Sequence, residues 1–271
     1  MVRKAAVADR FYPGDSRELR ALVRSLMPDS ATRPALGVVA PHAGYVYSGA
    51  VAGETFSRIE VPDRVVILGP NHHGFGPPVA VYASGAWATP LGEVPVDAGF
   101  AARLLDNWPQ AQVDETAHQF EHSLEVQVPF LQVRNPDVRI VPVCIGQLPL
   151  ADLLQLGEGL AGVIAADAEP TLVVASSDMT HYEPGEVARE KDQRALDQVL
   201  RLDPEELYRT VRRDRISMCG VLPTVVLLAA ARRLGLRSAE LMRYGNSGDV
   251  TGDQREVVGY AGVALWSPDE G

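Results

Sequence analysis

Residues 64–73 have the sequence Arg-Val-Val-Ile-Leu-Gly-Pro-Asn-His-His, a short apolar run followed by turn residues and two histidines. Such a run, bounded by glycine and proline, is typical of a strand that is buried on both faces. Two other apolar runs end in the same way, one just before His42 and one just before Asp178 and His181. Because ligands of open α/β sheets bind beyond the carboxyl ends of the strands, we expect these three loops to converge on one site.

Helical patterns alternate with apolar runs along the whole chain. Strands are predicted at residues 36–40, 64–68, 138–145, 171–175 and 257–265. Apolar residues at helical spacing predict helices at residues 16–27, 96–107, 123–133, 150–165, 187–200, 204–211 and 223–234. This alternation predicts an α/β fold with a central, mostly parallel or mixed sheet flanked by helices. No repeat or linker divides the chain, so we expect a single domain at residues 1–271.

The composition disfavours several classes of function. The chain has 271 residues, of which 46% are hydrophobic and 22% charged, as in ordinary globular proteins. Its net charge of -10 predicts no general affinity for nucleic acid or anionic membranes. The densest basic group, the three arginines in residues 212–215, is expected to form a solvated surface. The longest apolar stretch, residues 221–231, is too short to span a bilayer.

The two cysteines and the N-terminal sequence indicate the cellular compartment in which the protein is expected. Two cysteines do not make a disulfide framework, and the first ten residues lack the apolar segment of a secretory signal. We therefore expect a cytoplasmic protein. Cys144 lies in an apolar run and is expected to be an inert core residue.

His42 and the pair His72-His73 are the first candidate site residues. A lone histidine after a strand is weak evidence, so a structural role for His42 stays open. Two adjacent side chains in regular structure cannot both point to one centre. We therefore expect one of the pair to face the site while the other holds the loop or contacts substrate, although an exposed pair is the alternative.

Acidic residues accompany the remaining histidines. Asp178 and His181 would share a face if they began a helix, with the carboxylate acting as a ligand or orienting the imidazole. A helix cap and a surface histidine are the alternative roles. His122 and Glu125 have the spacing of a pair on one helix. His118 is expected to be a loop residue outside the site.

Cys219 lies just before an apolar helix, where the helix N-terminus would lower the pKa of a thiol and favour a thiolate. A thiolate is both a nucleophile and a metal ligand, although a buried structural role is equally compatible with this position. Histidines, a carboxylate and a thiolate together suit iron, copper or zinc. The spacings match neither a zinc finger nor a zinc protease, and the Gly-x-Ser-x-Gly motif of serine hydrolases is absent.

The order of these motifs resembles the Memo family, also called AmmeMemoRadiSam system protein B. The resemblance spans nearly the whole chain and rests on residues 10–13, 40–49, 67–73, 121–125, 176–181, 219–220 and 259–262. The family is similar in fold to the LigB-type class III extradiol dioxygenases, which are non-haem Fe(II) enzymes. The resemblance therefore implies one dioxygenase-like α/β domain.

The resemblance also implies roles for individual residues. The implied metal ligands are His42, His72 and Cys219. The implied catalytic residues are His181 as an acid/base, Asp178 and His122, and the implied substrate pocket includes His73 and Tyr45. The cysteine replaces a glutamate ligand of the dioxygenases, and a thiolate suits copper as well as iron. We expect iron (Fe2+) as the cofactor, with copper or zinc as alternatives.

The expected function is that of a metal-dependent redox enzyme of dioxygenase-like ancestry. Its substrate stays open, with an aromatic or phenolic small molecule as one candidate. One alternative is a non-catalytic module that binds a peptide or a partner through a vestigial metal pocket. A metal-dependent hydrolase is a second alternative. The resemblance further implies a functional link to radical-SAM and AMMECR1-like proteins, while the oligomeric state stays open.

Overall fold

The computed structural model describes residues 1–267, and a large mixed sheet forms its centre. The strands are β1 (Val2–Arg3), β2 (Arg33–Ala40), β3 (Ile59–Glu60), β4 (Arg64–Pro70), β5 (Val79–Val81), β6 (Ala86–Thr89), β7 (Gly92–Pro95), β8 (Ala111–Val113), β9 (Arg139–Ile145), β10 (Thr171–Ser176), β11 (His181–Glu183), β12 (Ala239–Asn246) and β13 (Val257–Trp266).

Nine α-helices accompany these strands within the described residues. They are α1 (Ser16–Leu26), α2 (Tyr45–Ser57), α3 (Ala98–Asn107), α4 (Val128–Arg134), α5 (Leu150–Ala165), α6 (Gly185–Leu200), α7 (Pro204–Arg213), α8 (Val221–Arg233) and α9 (Gly248–Thr251). Among residues 1–267, no helix has the length and apolar character needed to cross a membrane.

The large sheet has the strand order β11-β13-β2-β10-β4-β9-β5-β8, with β12 also paired to β13 and β3 to β2. The four central strands β2, β10, β4 and β9 are parallel, whereas β13 is antiparallel to β2 and β5 is antiparallel to β9. A separate small sheet contains β1, β6 and β7. The predicted α/β fold class with a mixed central sheet is therefore confirmed. The single-domain extent of residues 1–271 stays a prediction, and its last four residues lie outside the described part.

The central strands bury side chains on both faces, which explains their continuous apolar sequences. In β4, Val65 and Ile67 belong to one apolar cluster, which also contains side chains of α1, α2 and α4. Val66 and Leu68 belong to the opposite cluster, formed with α3, α5, α6, α7 and α8. The sheet is thus covered by a layer of helices on each face.

Helix α2 is the main element that sequence periodicity did not predict. Nine of its thirteen residues are buried, so it lacks the polar face that marks an amphipathic helix. Its glycines allow close helix packing, because a side chain at Gly53 would collide with the backbone of Leu26 in α1. The predicted helix at residues 123–133 is also different, since a 3-10 turn at Glu125–Gln127 precedes α4.

The parallel strands bring three loops to one edge of the sheet. His42 lies two residues after β2, His72 two residues after β4, and Asp178 two residues after β10. Because β10 lies between β2 and β4, these three loops are neighbours. The expected convergence of the strand ends is observed.

Candidate metal centre

Three histidines meet at the carboxyl edge of the sheet. One nitrogen from each of His42, His72 and His122 lies within 4.8 Å of the others. Their ring centroids are 4.8 to 5.4 Å apart. His42 is buried, while the side chains of His72 and His122 are 30% and 22% exposed, so the group borders solvent. The structure thus adds His122 to the two histidines that were expected to lie together.

A buried serine fixes the protonation of His42. The hydroxyl of Ser176 donates to the carbonyl of Ser123 at 2.6 Å and accepts from Gln127 Nε2 at 2.9 Å. The same hydroxyl lies 2.9 Å from His42 Nδ1. Since a hydroxyl has one proton and that proton is used, His42 Nδ1 must be the donor in this contact. Its Nε2 is therefore unprotonated in the neutral ring and free to act as a ligand.

A buried carboxylate orients His72. Glu121 Oε1 lies 2.8 Å from His72 Nδ1, and Oε2 accepts from the His72 backbone amide at 2.8 Å. The amide of Ser123 also donates to Oε1, at 3.0 Å. A carboxylate acceptor at Nδ1 leaves Nε2 as the ligand atom, as in carboxylate–histidine–metal arrangements. Glu121 had no role predicted from the sequence, although its position beside His122 was a usable signal.

Burial keeps two of the three imidazoles neutral. It lowers the pKa of His42 well below the usual value, and the neighbouring His122 and His72 lower it further. Burial also lowers the pKa of His122, to about 4. For His72, burial would lower the pKa, but the hydrogen bond and charge of Glu121 outweigh it and raise the pKa. Neutral imidazoles are the form that binds metal ions, so this group is suited to a cation.

The thiol of Cys219 touches this group through His42. Its Sγ lies 3.2 Å from His42 Nε2, and the Asp178 backbone amide donates to Sγ at 3.3 Å. The expectation that a helix N-terminus lowers its pKa is wrong. Burial, followed by the charge of Asp178, raises the pKa of the Cys219 thiol instead. At neutral pH the metal-free protein therefore holds a thiol that donates to His42 Nε2.

Asp178 and His181 lie in the same region but make separate contacts. Asp178 Oδ1 accepts from the His42 backbone amide at 2.7 Å, and burial raises the pKa of this carboxyl. His181 Nδ1 lies 2.8 Å from the Met179 carbonyl and 3.0 Å from that of Ser217. Residues 181–183 form a strand, so the two side chains do not share a helical turn as considered above. Their catalytic roles stay predictions.

The proposed pairing of His122 with Glu125 is not observed. Glu125 is buried and accepts from Arg3 Nη1 at 2.7 Å and from the Tyr12 hydroxyl at 2.5 Å. This carboxylate therefore anchors the N-terminal segment. His118, expected in a loop, lies in a 3-10 helix at Thr116–His118 and is fully buried in the core.

The two predicted pocket residues have different surroundings. His73 is exposed, stacks on Phe75 with ring centroids 5.9 Å apart, and has Nε2 3.1 Å from the Phe120 carbonyl. Tyr45 is buried at the start of α2, and its hydroxyl donates to the Val126 carbonyl at 2.6 Å. These are the contacts of a core side chain. Substrate contacts of both residues stay predictions.

A cavity of about 770 Å³ opens beside the histidine group. Its wall includes His72 and Cys219, so both the imidazole and the thiol are accessible from it. On another part of the wall lie Tyr208, Arg212 and Arg215. Two of the arginines expected on a plain solvated surface thus border the same cavity as the site.

The donor atoms fit a transition-metal ion. Two ligands at about 2.0 and 2.3 Å from one ion lie roughly 3.0 to 3.5 Å apart at the usual bond angles. The 3.2 Å separation of His42 Nε2 and Cys219 Sγ falls in this range. Imidazole nitrogens suit zinc, copper, iron and nickel alike, so the histidine group is compatible with a metal site without selecting the element. Cys219 lies outside the group of three, and its role as a ligand stays a prediction.

Comparisons with known proteins agree on the family. A model of the Memo-like protein family matches residues 3–264. A MEMO1 family protein of Methanopyrus kandleri is 42% identical over 98% of this chain and 99% of its own length. One of Aquifex aeolicus is 43% identical over 97% and 98% of the two chains. The crystal structure of an uncharacterized Escherichia coli protein shares the fold, with a TM-score of 0.60 and 17% identity over 84% of this chain and 98% of that one. The chain belongs to the Memo-like protein family.

Proposed function

We propose that this protein is a metal-dependent redox enzyme with non-haem iron as its cofactor. The observation that carries the proposal is the convergence of His42, His72 and His122, with the Cys219 thiol at the same edge. Two of these imidazoles have their outer nitrogens fixed by buried acceptors, an arrangement that orients metal ligands. A cavity at the site provides room for a small substrate.

A bound iron or copper ion would supply one-electron redox chemistry. His42, His72 and Cys219 would hold it, and His122 is near enough to serve as a further ligand. In the metal-free protein, the Cys219 proton lies on the hydrogen bond to His42 Nε2, so metal binding must release it.

His181 is the proposed proton carrier. Two carbonyl oxygens near its Nδ1 stabilise a proton there, which leaves Nε2 to accept or donate a proton. Asp178 fixes the backbone that carries His42 and thereby positions this ligand.

Metal loading of the full chain tests the ligand set. Protein prepared without oxygen is offered Fe2+, Cu+ or Zn2+, and the bound metal is measured by mass spectrometry after desalting. We expect one ion per chain, and near-complete loss of it in His42→Ala and His72→Ala. His73→Ala removes an exposed imidazole next to His72 and should keep the metal.

Oxygen consumption with catechol as the probe tests the redox activity. We expect consumption that requires Fe2+ or copper and that falls at least tenfold in His181→Gln, which would retain its metal. Equal metal content in the wild type and His72→Ala would contradict the proposed centre. Zinc-dependent hydrolysis of a phosphate ester or an amide without oxygen uptake would favour the hydrolase alternative. Binding of a peptide by metal-free His42→Ala would favour the binding module.

A further inference from the structure

We infer that the cavity beside the metal centre binds a small organic anion, whose carboxylate or phosphate group lies on Arg212 and Arg215 and whose apolar body extends toward His72 and Cys219. This inference deepens the proposed function and rests on it for the identity of the reacting end. The anion-binding end depends only on the residues of the cavity wall.

The charge of the cavity wall is opposite to that of the whole chain. The protein carries a net charge of -10. Yet the described residues that line the cavity include two arginines and neither an aspartate nor a glutamate. A cationic wall on an anionic protein attracts negatively charged small molecules to this one opening.

The two arginines have no carboxylate partner in the part of the chain that the structure describes. On the same helix, Arg209 and Arg213 both pair with Glu206, and Arg213 also contacts Asp214. Arg209 and Arg213 thus have carboxylate partners, whereas the charges of Arg212 on α7 and of Arg215, two residues beyond its end, remain available to a ligand.

Tyr208 holds the Arg212 guanidinium in a position to bind an oxyanion. Arg212 Nη1 donates to the Tyr208 hydroxyl at 2.6 Å, and the guanidinium lies 4.9 Å from the centre of the tyrosine ring. Because the hydroxyl oxygen accepts from the arginine, its own proton is free for another acceptor. The remaining guanidinium donors and this proton together match the oxygens of a carboxylate or phosphate.

Arg215 adopts a backbone conformation that a side chain rarely takes. Its φ is 50°, in the left-handed region where glycine or asparagine costs less free energy. This turn follows α7 and returns the chain toward Cys219. An arginine in that position is consistent with a function for its charged side chain at the cavity.

The rest of the cavity suits an apolar body. Its wall includes Pro78, Ile145, Val211, Met218 and Leu222. The volume of about 770 Å³ lies in the range of small-molecule sites. A ring or short alkyl body would contact these side chains while the anionic group lies on the arginines.

Calorimetric titration of the full chain tests the inference with three probes. Benzoate and phenyl phosphate represent the two anion sources, and benzamide is the neutral analogue of benzoate. Each probe is titrated into metal-free protein with a chelator and into Fe2+-loaded protein under nitrogen. The variant R212Q/R215Q removes the cavity arginines, and R209Q/R213Q removes the same charge from the same region outside the cavity.

We expect at least one anion to bind, and to bind about tenfold more weakly to R212Q/R215Q, since charge-assisted hydrogen bonds are lost. R209Q/R213Q should bind it like the wild type, and benzamide should bind at least about tenfold more weakly than benzoate. The relative affinities of benzoate and phenyl phosphate identify the preferred anion.

Three results would overturn the inference: no binding of either anion, equal losses in the two double variants, or binding that needs Fe2+ and ignores R212Q/R215Q. Failure of the proposed metal centre would give a different result from these three. His72→Ala would then show unchanged metal content, while the metal-free titrations would still depend on the arginines.

Discussion

Two histidine–cysteine contacts in this protein have similar geometry but different surroundings. Cys219 Sγ lies 3.2 Å from His42 Nε2, and Cys144 Sγ lies 3.5 Å from His118 Nδ1. Burial raises the pKa of both thiols. It lowers the pKa of both imidazoles. Neither the contact nor the protonation states distinguish the two pairs.

The neighbours of each pair make the difference. His118 packs against the rings of both Tyr82 and Trp87, at centroid distances of 5.6 and 5.7 Å, and its Nε2 is 3.1 Å from the Ala80 carbonyl. The His118 imidazole is fully buried, so this histidine–cysteine pair is part of the packed core. Near His42, two further imidazoles converge and Cys219 lines a cavity. Convergent donors beside open space, rather than the pair itself, indicate a metal centre.

The largest expected difference between the pairs is in thiol alkylation. In metal-free protein, iodoacetamide should label Cys219 from the cavity, slowly at neutral pH and faster as pH rises, because its pKa is raised. Cys144 should react only through opening of the core, at least about 10⁴-fold more slowly. Mass spectrometry of timed samples gives both rates, with Cys144→Ala and Cys219→Ala as single-thiol controls. Equal rates would remove the distinction between the pairs.

Alanine substitution should reduce the free energy of unfolding more in the core region than at the site, the reverse of the order expected for thiol alkylation. His118→Ala removes a fully buried ring and leaves the Ala80 carbonyl without its donor, at a cost of about 4 kcal/mol. His122→Ala removes a ring that borders solvent and should cost less than about 1 kcal/mol in metal-free protein. Urea unfolding of both variants checks this. A larger loss for His122→Ala would mean that the site, and not the core, holds this edge of the fold together.

Acid should destabilise the protein because the buried His118 imidazole of the core pair resists protonation. Burial lowers the pKa of His118 from 6.5 to about 4, so the unfolded chain takes up this proton first as the pH falls. The stability contributed by the neutral ring is complete above pH 6.5 and is lost between pH 6.5 and 4, on the order of 3 kcal/mol in total.

The variant His118→Gln isolates this contribution. It keeps a donor for the Ala80 carbonyl but does not titrate, so its stability should fall less than that of the wild type between pH 6.5 and 4. The acid responses of His42 and His122 are common to both proteins and cancel in the difference. Parallel curves would show that His118 has the same pKa in the folded and the unfolded chain, so that burial does not lower it.

The four parallel central strands and β13 could be predicted because they are continuous apolar runs that end at turn residues, whereas the other five strands of the large sheet were not predicted. The run at residues 64–68 became β4, and the parallel order of the strands then placed His42 and His72 together. Here a local pattern and a general rule of sheet topology sufficed. Helix α2 was missed because it is buried on nearly all sides and has no periodic polar face.

The chemistry of the site depends on contacts between residues distant in sequence. The helix start after Cys219 indicated a lowered pKa, but desolvation, which the sequence does not show, reverses the shift. Likewise, nothing local separates Arg212 from Arg213. Only the folded chain shows that one lines the cavity while the other pairs with Glu206.

The smallest predicted effect concerns the hydrogen bond between His42 Nδ1 and the Ser176 hydroxyl, and whether it affects metal binding at the site. Ser176→Ala removes the acceptor of His42 Nδ1, so the ring is no longer held with Nε2 toward Cys219, and metal affinity should fall about tenfold. Ser48→Ala removes another buried hydroxyl, one that donates to the Ala43 carbonyl, and serves as the control. Competition with a chromophoric chelator measures both affinities. Urea unfolding should show a loss of about 1 kcal/mol for Ser48→Ala and a larger loss for Ser176→Ala, because the Ser176 hydroxyl makes three buried hydrogen bonds. If both variants bind metal like the wild type, the orientation of His42 is set by packing alone. The two histidine–cysteine pairs would then differ only in which other donors they meet.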